Sequence, residues 1–233
     1  MATIECQDVN IRETKESLDN LHEGNHLINE LHVINEDHSG IICELGLFGF
    51  GLTTMLASLA DCGAYEKGST VLAMGLVYGG LCQFISGILE WIKGNGFTGL
   101  AFASYGSFWI AFDMIFAIPV WGWGAPADYK AVSCFLLVWT IFTVILFLCT
   151  FNKSICDMLV FGILALHLLI ATIGNWSESK NTVKAAGYIG CLCAAVAIYT
   201  ASAILINDNY KRIILPLGIT GKKIGEPMKK KGN

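Results

Sequence analysis

Ionisable and amide side chains lie within or at the ends of long apolar runs of this chain, among them Glu44, Gln83, Glu90, Asp113 and His167. An unpaired polar group in hydrocarbon costs several kcal/mol, so each of them needs a partner or a water-filled cavity. We expect Gln83 to face protein or an aqueous path. We expect Glu90, at the end of its run, to be a solvated or structural carboxylate rather than a solute contact.

Asp113 and His167 are the candidates for moving protons. Both lie near the middle of an apolar run, where ionisable residues are functional candidates by default. A histidine gains or loses its proton near neutral pH. We therefore predict that the two side chains can pair as a proton relay.

Three further polar residues are candidates for lining a solute path. Thr53 and Thr54 can offer hydroxyl groups to a carboxylate, although threonine also bonds the preceding helical turn. Asn175 closes an apolar run, where it can line an exit or cap the last carbonyl groups of its helix. The sequence leaves these alternatives open.

The cysteines and histidines do not form a catalytic or metal-binding pattern. The nine cysteines contain no CxxC pair or zinc spacing, and a buried cysteine behaves as a small apolar residue. His22, His26, His32 and His38 lie in the polar N-terminal tail, and the first two have a spacing that puts both rings on one helical face. No cysteine or acidic residue completes a convincing ligand set, so a solvated tail is the favoured interpretation. We predict no enzyme activity, no metal and no cofactor.

The apolar runs are long enough to cross a membrane. Hydrophobic residues make up 54% of the chain and charged residues 15%, against roughly 25% charged residues in soluble domains. Each run is close to the roughly 20 residues that a bilayer core requires. The sequence therefore predicts an all-α, polytopic membrane protein. Its six transmembrane helices are expected at Ile41–Ala60, Ser69–Trp91, Gly99–Trp121, Val132–Phe151, Ile155–Ile173 and Ala185–Ile206.

The second and third runs are predicted to form a helical hairpin. Gly75 and Gly79 form a GxxxG pair, Gly80 and Gly87 extend the same thin face, and Gly106 thins the third run. Membrane helices associate through close backbone approach over small residues. We expect this hairpin to line a narrow path for a small polar solute.

Charge defines three regions and an orientation. An acidic tail (residues 1–40) precedes the transmembrane domain (41–206), and a basic tail (207–233) follows it. With six spans, both tails and the second and fourth links hold eleven of the fifteen Lys and Arg residues, so we expect both termini in the cytoplasm. We expect the plasma membrane, and the basic tail could bind anionic lipid headgroups. Nothing in this charge distribution indicates a nucleic-acid partner.

Several long motifs in this order resemble the acetate uptake transporter family, the YaaH-type succinate/acetate permeases. They are LGLFGFGLTT (45–54), LAMGLVYGGLCQFISGILEWIKGN (72–95), TGLAFASYGSFW (98–109), IGN (173–175), AAGYIGCLCAAVAIYTA (185–201) and ILPLG (214–218). The resemblance implies a six-helix protomer, a homo-hexamer with a pore through each protomer, and passage of acetate and related small carboxylates. It also implies proton-coupled uptake, which is proposed for many members.

The resemblance also implies a narrow gate made of aromatic and aliphatic side chains. By motif position the gate falls on Phe50 and Tyr105, and on Leu164, where no strong motif fixes the register. Two rings and a branched side chain would exclude bulky solutes, and the Tyr105 phenol could donate a hydrogen bond to a carboxylate. The alternative for all three is ordinary packing within the spans.

The first span departs from the family pattern. The family has an Asn-Pro-Ala-Pro run ahead of LGL, and this chain has Ile41, Ile42, Cys43 and Glu44 there. It therefore lacks the prolyl helix start that exposes backbone amides to an anion. Glu44 predicts an altered solute preference, a protonation-linked gate, or a span that starts later and leaves Glu44 in water.

The sequence as a whole predicts membrane transport of acetate-like monocarboxylates or succinate, by proton symport or by a selective channel. Two alternatives remain. The first is a channel for small neutral solutes such as urea or amides, which suits an acidic Glu44. The second is a membrane sensor that kept this scaffold without conducting.

Overall fold

Six apolar helical spans make up the part of the protein that the structure describes. The structure is a computed structural model, and it describes residues 39–66 and 68–218. The elements are α1 (Ser39–Asp61), α2 (Ser69–Met74), a π-helical segment (Gly75–Cys82), α3 (Gln83–Ile92), α4 (Gly96–Val120), α5 (Tyr129–Leu148), α6 (Ile155–Trp176) and α7 (Lys180–Asn209). The α2, π-helical and α3 segments are continuous and form the second span.

Each of the six spans is long and apolar enough to cross a membrane. The predicted all-α, six-helix membrane fold is confirmed. The largest difference in bounds is at α7, which begins at Lys180 instead of Ala185. The N-terminal histidines and the last residues of the basic tail, 219–233, lie outside the described residues.

The second and third spans pack with their backbones in close contact, as the small residues predicted. A Cβ atom added to Gly106 of α4 would lie 2.5 Å from the Phe84 amide nitrogen, and one added to Gly87 of α3 would overlap the Ala103 backbone. Because no side chain fits at either position, glycine permits this approach. The hairpin therefore forms one wall of the bundle.

The π-helical segment of the second span was not expected from the sequence. A Cβ atom at Gly80 would lie 2.7 Å from the Gly75 carbonyl oxygen, and one at Gly79 would lie 2.7 Å from Thr53 of α1. Glycine therefore allows the wide turn to form against α1. Such π-helical turns are frequent at functional sites, and Gln83 follows this one directly.

The chain after α7 folds back onto the start of α6. The Ile155 amide donates to the Gly218 carbonyl at 2.7 Å. The Asn207 side chain holds this segment, since its Oδ1 accepts from Ile214 N at 2.7 Å and from Leu215 N at 2.9 Å. Residues 207–218, which the sequence analysis assigned to the C-terminal tail, therefore contact the membrane domain and satisfy amides at the N-terminus of α6.

Candidate functional site

Among the cavities that the described residues form, two share lining residues between the helices. The first, which we call the His167 cavity, has a volume of about 110 Å³ and is lined by α1, α4, α5, α6 and α7. The second, the Gln83 cavity, has a volume of about 160 Å³ and is lined by α1, α3, α4, α6 and α7. Water occupies roughly 30 Å³ per molecule, so each cavity has room for a few waters or a solute of similar size.

Three residues line both cavities, and we call them the neck. They are Phe50 of α1, Tyr105 of α4 and Leu164 of α6. All three are buried, and the Phe50 and Tyr105 ring centroids are 5.8 Å apart. A side chain that borders both cavities lies between them. The structure therefore brings together the three residues that the sequence analysis named as a gate.

The hydrogen bonds of Tyr105 correct one expectation. Its hydroxyl lies 2.9 Å from Thr143 Oγ1, and Thr143 Oγ1 donates its single hydrogen to the Trp139 carbonyl at 2.7 Å. Because a carbonyl only accepts, the Tyr105 phenol must be the donor to Thr143. The sequence predicts that the phenol donates its hydrogen to a carboxylate, but in the structure this hydrogen goes to Thr143. The phenol oxygen can still accept a hydrogen bond.

His167 lines the cavity that we named after it. Its Nδ1 lies 2.8 Å from the Ala186 carbonyl of α7. A Cβ atom at Gly190 would lie 2.8 Å from the His167 ring and would overlap Ser58 Oγ. The glycine therefore allows α1, α6 and α7 to meet around this ring.

Two more of the predicted pore residues line the His167 cavity. Thr54 lies in its wall, and its Oγ1 is buried without a hydrogen-bond partner among the described residues. Asn175 also lines it, while its Nδ2 donates to the Ala171 carbonyl at 2.8 Å. Asn175 therefore lines the cavity and bonds its own helix, and its part in a solute exit stays a prediction.

Gln83 and Thr53 have different surroundings. Gln83 lines the Gln83 cavity, and its Oε1 is buried without a hydrogen-bond partner among the described residues. Thr53 lines neither cavity and packs against Gly79 of the second span. Thr53 therefore contributes to helix packing in this structure.

The two glutamates are buried and lie outside the linings of both cavities. Glu44 is 3% exposed, and α1 begins before it, at Ser39. Of the three alternatives for Glu44, a span that starts later and leaves this side chain in water does not fit the structure. Glu90 is 1% exposed, and its Oε2 accepts from Asn95 Nδ2 at 2.6 Å. In this structure the Glu90 carboxylate therefore bonds the loop before α4.

Asp113 lies against the second span. A Cβ atom at Gly75 would overlap its carboxylate, and Asp113 is fully buried. His167 bonds α7, whereas Asp113 packs at the start of the π-helical segment. These contacts involve different helices, and the relay between the two residues stays a prediction.

Sequence reasoning missed several polar lining residues. Ser58, Asp61 and Trp109 line the His167 cavity, and Asp157 lines the Gln83 cavity. Ser58 follows Thr54 by four residues, and Asp61 follows Ser58 by three. Residues at such intervals share one face of a helix, so the spacing was the signal that could have found them.

Known proteins match this chain in sequence and in fold. The model of the GPR1/FUN34/yaaH family matches residues 26–218. The chain is 37% identical over 174 residues to the succinate-acetate/proton symporter SatP of Escherichia coli K12, an alignment that covers 75% of this chain and 93% of the relative. It is 32% identical over 190 residues to acetate permease A of Emericella nidulans, covering 74% of this chain and 64% of that one.

A solved structure agrees with the sequence matches. The structure of the bacterial acetate channel SatP is similar to this one with a TM-score of 0.75 and 36% sequence identity, and the match covers 76% of this chain and 98% of that chain. The family model covers most of the chain, and the resemblance drawn from the motifs is thereby confirmed. With its six apolar spans, this multi-pass integral membrane protein belongs to the GPR1/FUN34/yaaH family.

Proposed function

We propose that the protein moves acetate and related small carboxylates across a membrane. The path runs from the His167 cavity through the neck to the Gln83 cavity within one protomer. The observation that carries the proposal is that only Phe50, Tyr105 and Leu164 border both cavities, among the described residues. The names of the relatives support the solute, since they include a succinate-acetate/proton symporter and an acetate permease.

The chemistry of the path suits a small acid. The neck consists of two aromatic rings and one branched aliphatic side chain. These side chains accept the methyl group of a small acid and exclude bulky solutes. Hydrogen-bonding side chains lie on both sides, with Thr54 in one cavity and Gln83 in the other. A narrow apolar constriction between cavities that carry hydrogen-bonding side chains can gate a pore.

The assembly and orientation belong to the same proposal. We propose a homo-hexamer with one path per protomer, both termini in the cytoplasm, and the plasma membrane as its location. The orientation rests on the excess of Lys and Arg on the side of the termini. In this orientation, the His167 cavity faces the outside of the cell and the Gln83 cavity faces the cytoplasm. The resemblance supports the hexamer, and a proton is the proposed co-substrate.

One observation favours a second solute class, small neutral molecules such as urea. The charged side chain that lines the Gln83 cavity is Asp157, and its carboxylate would repel an anion. Its Oδ2 accepts a hydrogen bond from Ser154 Oγ at 2.8 Å in the cap of α6, so one carboxylate oxygen already has a partner within the protein. We therefore favour the carboxylate and treat urea as a competitor to be tested.

Uptake by proteoliposomes tests the proposal. Purified protein is reconstituted and supplied with labelled acetate, succinate or urea under inward, outward and zero pH gradients, with protein-free liposomes as the control. We expect saturable acetate uptake that depends on the protein. Acetate uptake equal to the protein-free control under every gradient would contradict the proposal, and saturable urea uptake alone would favour the neutral-solute channel.

A further inference from the structure

We propose, building on the proposed function, that His167 gives a proton to the carboxylate in the His167 cavity, so that the solute crosses the neck as a neutral acid. The proposal rests on the donors and acceptors that the described residues present on each side of the neck. It assigns to His167 a role in the transport step and makes the His167 cavity the site where the anion binds.

The His167 cavity presents hydrogen-bond donors. Trp109 and Thr54 line it, and the indole Nε1 of Trp109 and the hydroxyl oxygen of Thr54 are both buried without a hydrogen-bond partner among the described residues. An indole N–H can only donate. Because leaving a buried donor unsatisfied is costly, the cavity fits a solute that accepts hydrogen bonds at these atoms. A carboxylate is such a solute.

The neck presents no donor. Phe50 and Leu164 carry no polar side-chain atom, and the Tyr105 phenol gives its hydrogen to Thr143. A charged carboxylate in the neck would lose its hydrogen bonds without replacement, which is expensive in an apolar site. A neutral carboxylic acid carries its own O–H, and this group can donate to the Tyr105 oxygen.

The Gln83 cavity continues the same pattern. The Oε1 of Gln83 is buried without a hydrogen-bond partner among the described residues, and this atom can only accept. A solute that leaves the neck with an O–H group can satisfy it. Residues with an unsatisfied donor therefore line the cavity on one side of the neck and a residue with an unsatisfied acceptor lines the other, a pattern that fits an anion in the first cavity and a neutral acid in the second.

The geometry of His167 suits it to supply the proton. A carbonyl only accepts, so Nδ1 must carry the hydrogen that bonds the Ala186 carbonyl at 2.8 Å. Nε2 is then the nitrogen that gains and loses a proton. His167 follows Leu164 by three residues on α6, so its ring lies about one helical turn from the neck.

The titratable groups around His167 come from three other helices. Asp61 of α1 and Tyr105 of α4 line the same cavity. Cys191 of α7 interacts with Cys62, which follows α1, and with Asp61. The cavity residues of α5 are Val132 and Leu136, which do not titrate. Among these groups Asp61 is the carboxylate, and it lines the same cavity as His167.

The step is a single proton transfer. The Nε2–H bond of the imidazolium breaks and an O–H bond forms on the solute carboxylate. The cation and the anion become a neutral ring and a neutral acid, so no net charge enters the neck. Water on the Asp61 side then supplies a proton to Nε2, and one proton crosses with each acid.

The pH dependence of KM separates this role from simple packing. In His167→Asn the amide keeps a donor for the Ala186 carbonyl, but the nitrogen that titrates is lost. Only acid that is already neutral in solution can then enter. Because carboxylic acids ionise near pH 4 to 5, the variant's KM for total acetate should rise about tenfold per pH unit above this range. The wild-type KM should stay level over the pH range in which the ring carries both protons.

The comparison has an internal control. The ionisation of acetate in solution is the same for both proteins, so the ratio of their KM values isolates the histidine. His38→Asn makes the same chemical change outside the described residues and should follow the wild-type profile. Parallel wild-type and His167→Asn profiles would overturn the proposal.

Nitrogen NMR tests the ring without relying on transport. In a background with the four tail histidines replaced by Gln, His167 is the remaining histidine. We expect an Nδ1-protonated neutral ring that becomes an imidazolium on acidification. If the anion binds the charged ring tenfold more tightly, saturating acetate must raise the ring's proton affinity tenfold by linkage. A ring that carries its hydrogen on Nε2 when neutral, or that titrates without responding to acetate, would contradict the proposal.

Acetate transport by the protein and proton transfer by His167 can be refuted independently of each other. If wild-type proteoliposomes show no acetate uptake, the proposed function fails. If the wild type transports acetate while the His167→Asn profile is unchanged, the proposed function stands and the proton transfer by His167 fails.

Discussion

Truncation of Leu164 should widen the neck and relax the selectivity against larger acids. Leu164→Ala removes three carbon atoms at a point shared by cavities of about 110 and 160 Å³, which joins the two spaces. One methylene group in an apolar pocket changes discrimination by about 1–3 kcal/mol, or roughly 10–200-fold. We therefore expect the ratio of kcat/KM for acetate to that for butyrate to fall at least about tenfold. Competition between labelled acetate and unlabelled acetate, propionate or butyrate in proteoliposomes measures this ratio.

Leu168→Ala is the matched control. Leu164 and Leu168 are both 4% exposed and lie one turn apart on α6, but Leu168 lines only the His167 cavity. Both truncations should destabilise the protein, by about 2–5 kcal/mol for a buried leucine. Only Leu164→Ala should change the selectivity. Equal changes in the two variants, or unchanged selectivity in Leu164→Ala, would refute the assignment of the neck.

Three further predictions follow from single contacts. Tyr105→Phe should lower the free energy of unfolding by about 1 kcal/mol because the hydrogen bond to Thr143 is lost, and it should slow acetate uptake because the neutral acid loses the phenol oxygen as an acceptor in the neck; uptake at the wild-type rate would contradict the second expectation. Gly75→Ala should lower the free energy of unfolding by about 1–3 kcal/mol, and the Tm with it, because the added Cβ would overlap the Asp113 carboxylate. Asp113→Ala in the same chain should restore part of the lost stability. Asn207→Ala removes three hydrogen bonds to residues 214 and 215, so limited proteolysis should cut that segment faster than in the wild type.

The sequence was sufficient for the spans and for the hairpin. The spans follow from apolar length, which a bilayer imposes directly, and the hairpin follows from glycines such as Gly87 and Gly106, which face a neighbouring backbone. The positions of the three neck residues came from motif resemblance. Composition alone does not distinguish a pore aromatic such as Phe50 from one that only fills space.

The remaining features depend on contacts between distant segments. The donor role of the Tyr105 phenol is set by Thr143, which itself bonds Trp139, and no spacing in the sequence encodes that order. Glu44 lies inside α1 and is buried, whereas the sequence left open whether this side chain lies in water. The π-helical turn depends on α1 packing against Gly79.

The central claim is that the solute passes between Phe50, Tyr105 and Leu164 within one protomer. Leu164→Trp tests it most directly, because an indole at this position fills the space between the two cavities. Leu166→Trp places the same ring on the same helix at a side chain that is 47% exposed, and it controls for the added bulk. The account predicts that acetate uptake by proteoliposomes is lost in Leu164→Trp and kept in Leu166→Trp. Uptake by a correctly folded Leu164→Trp protein at the wild-type rate would contradict it.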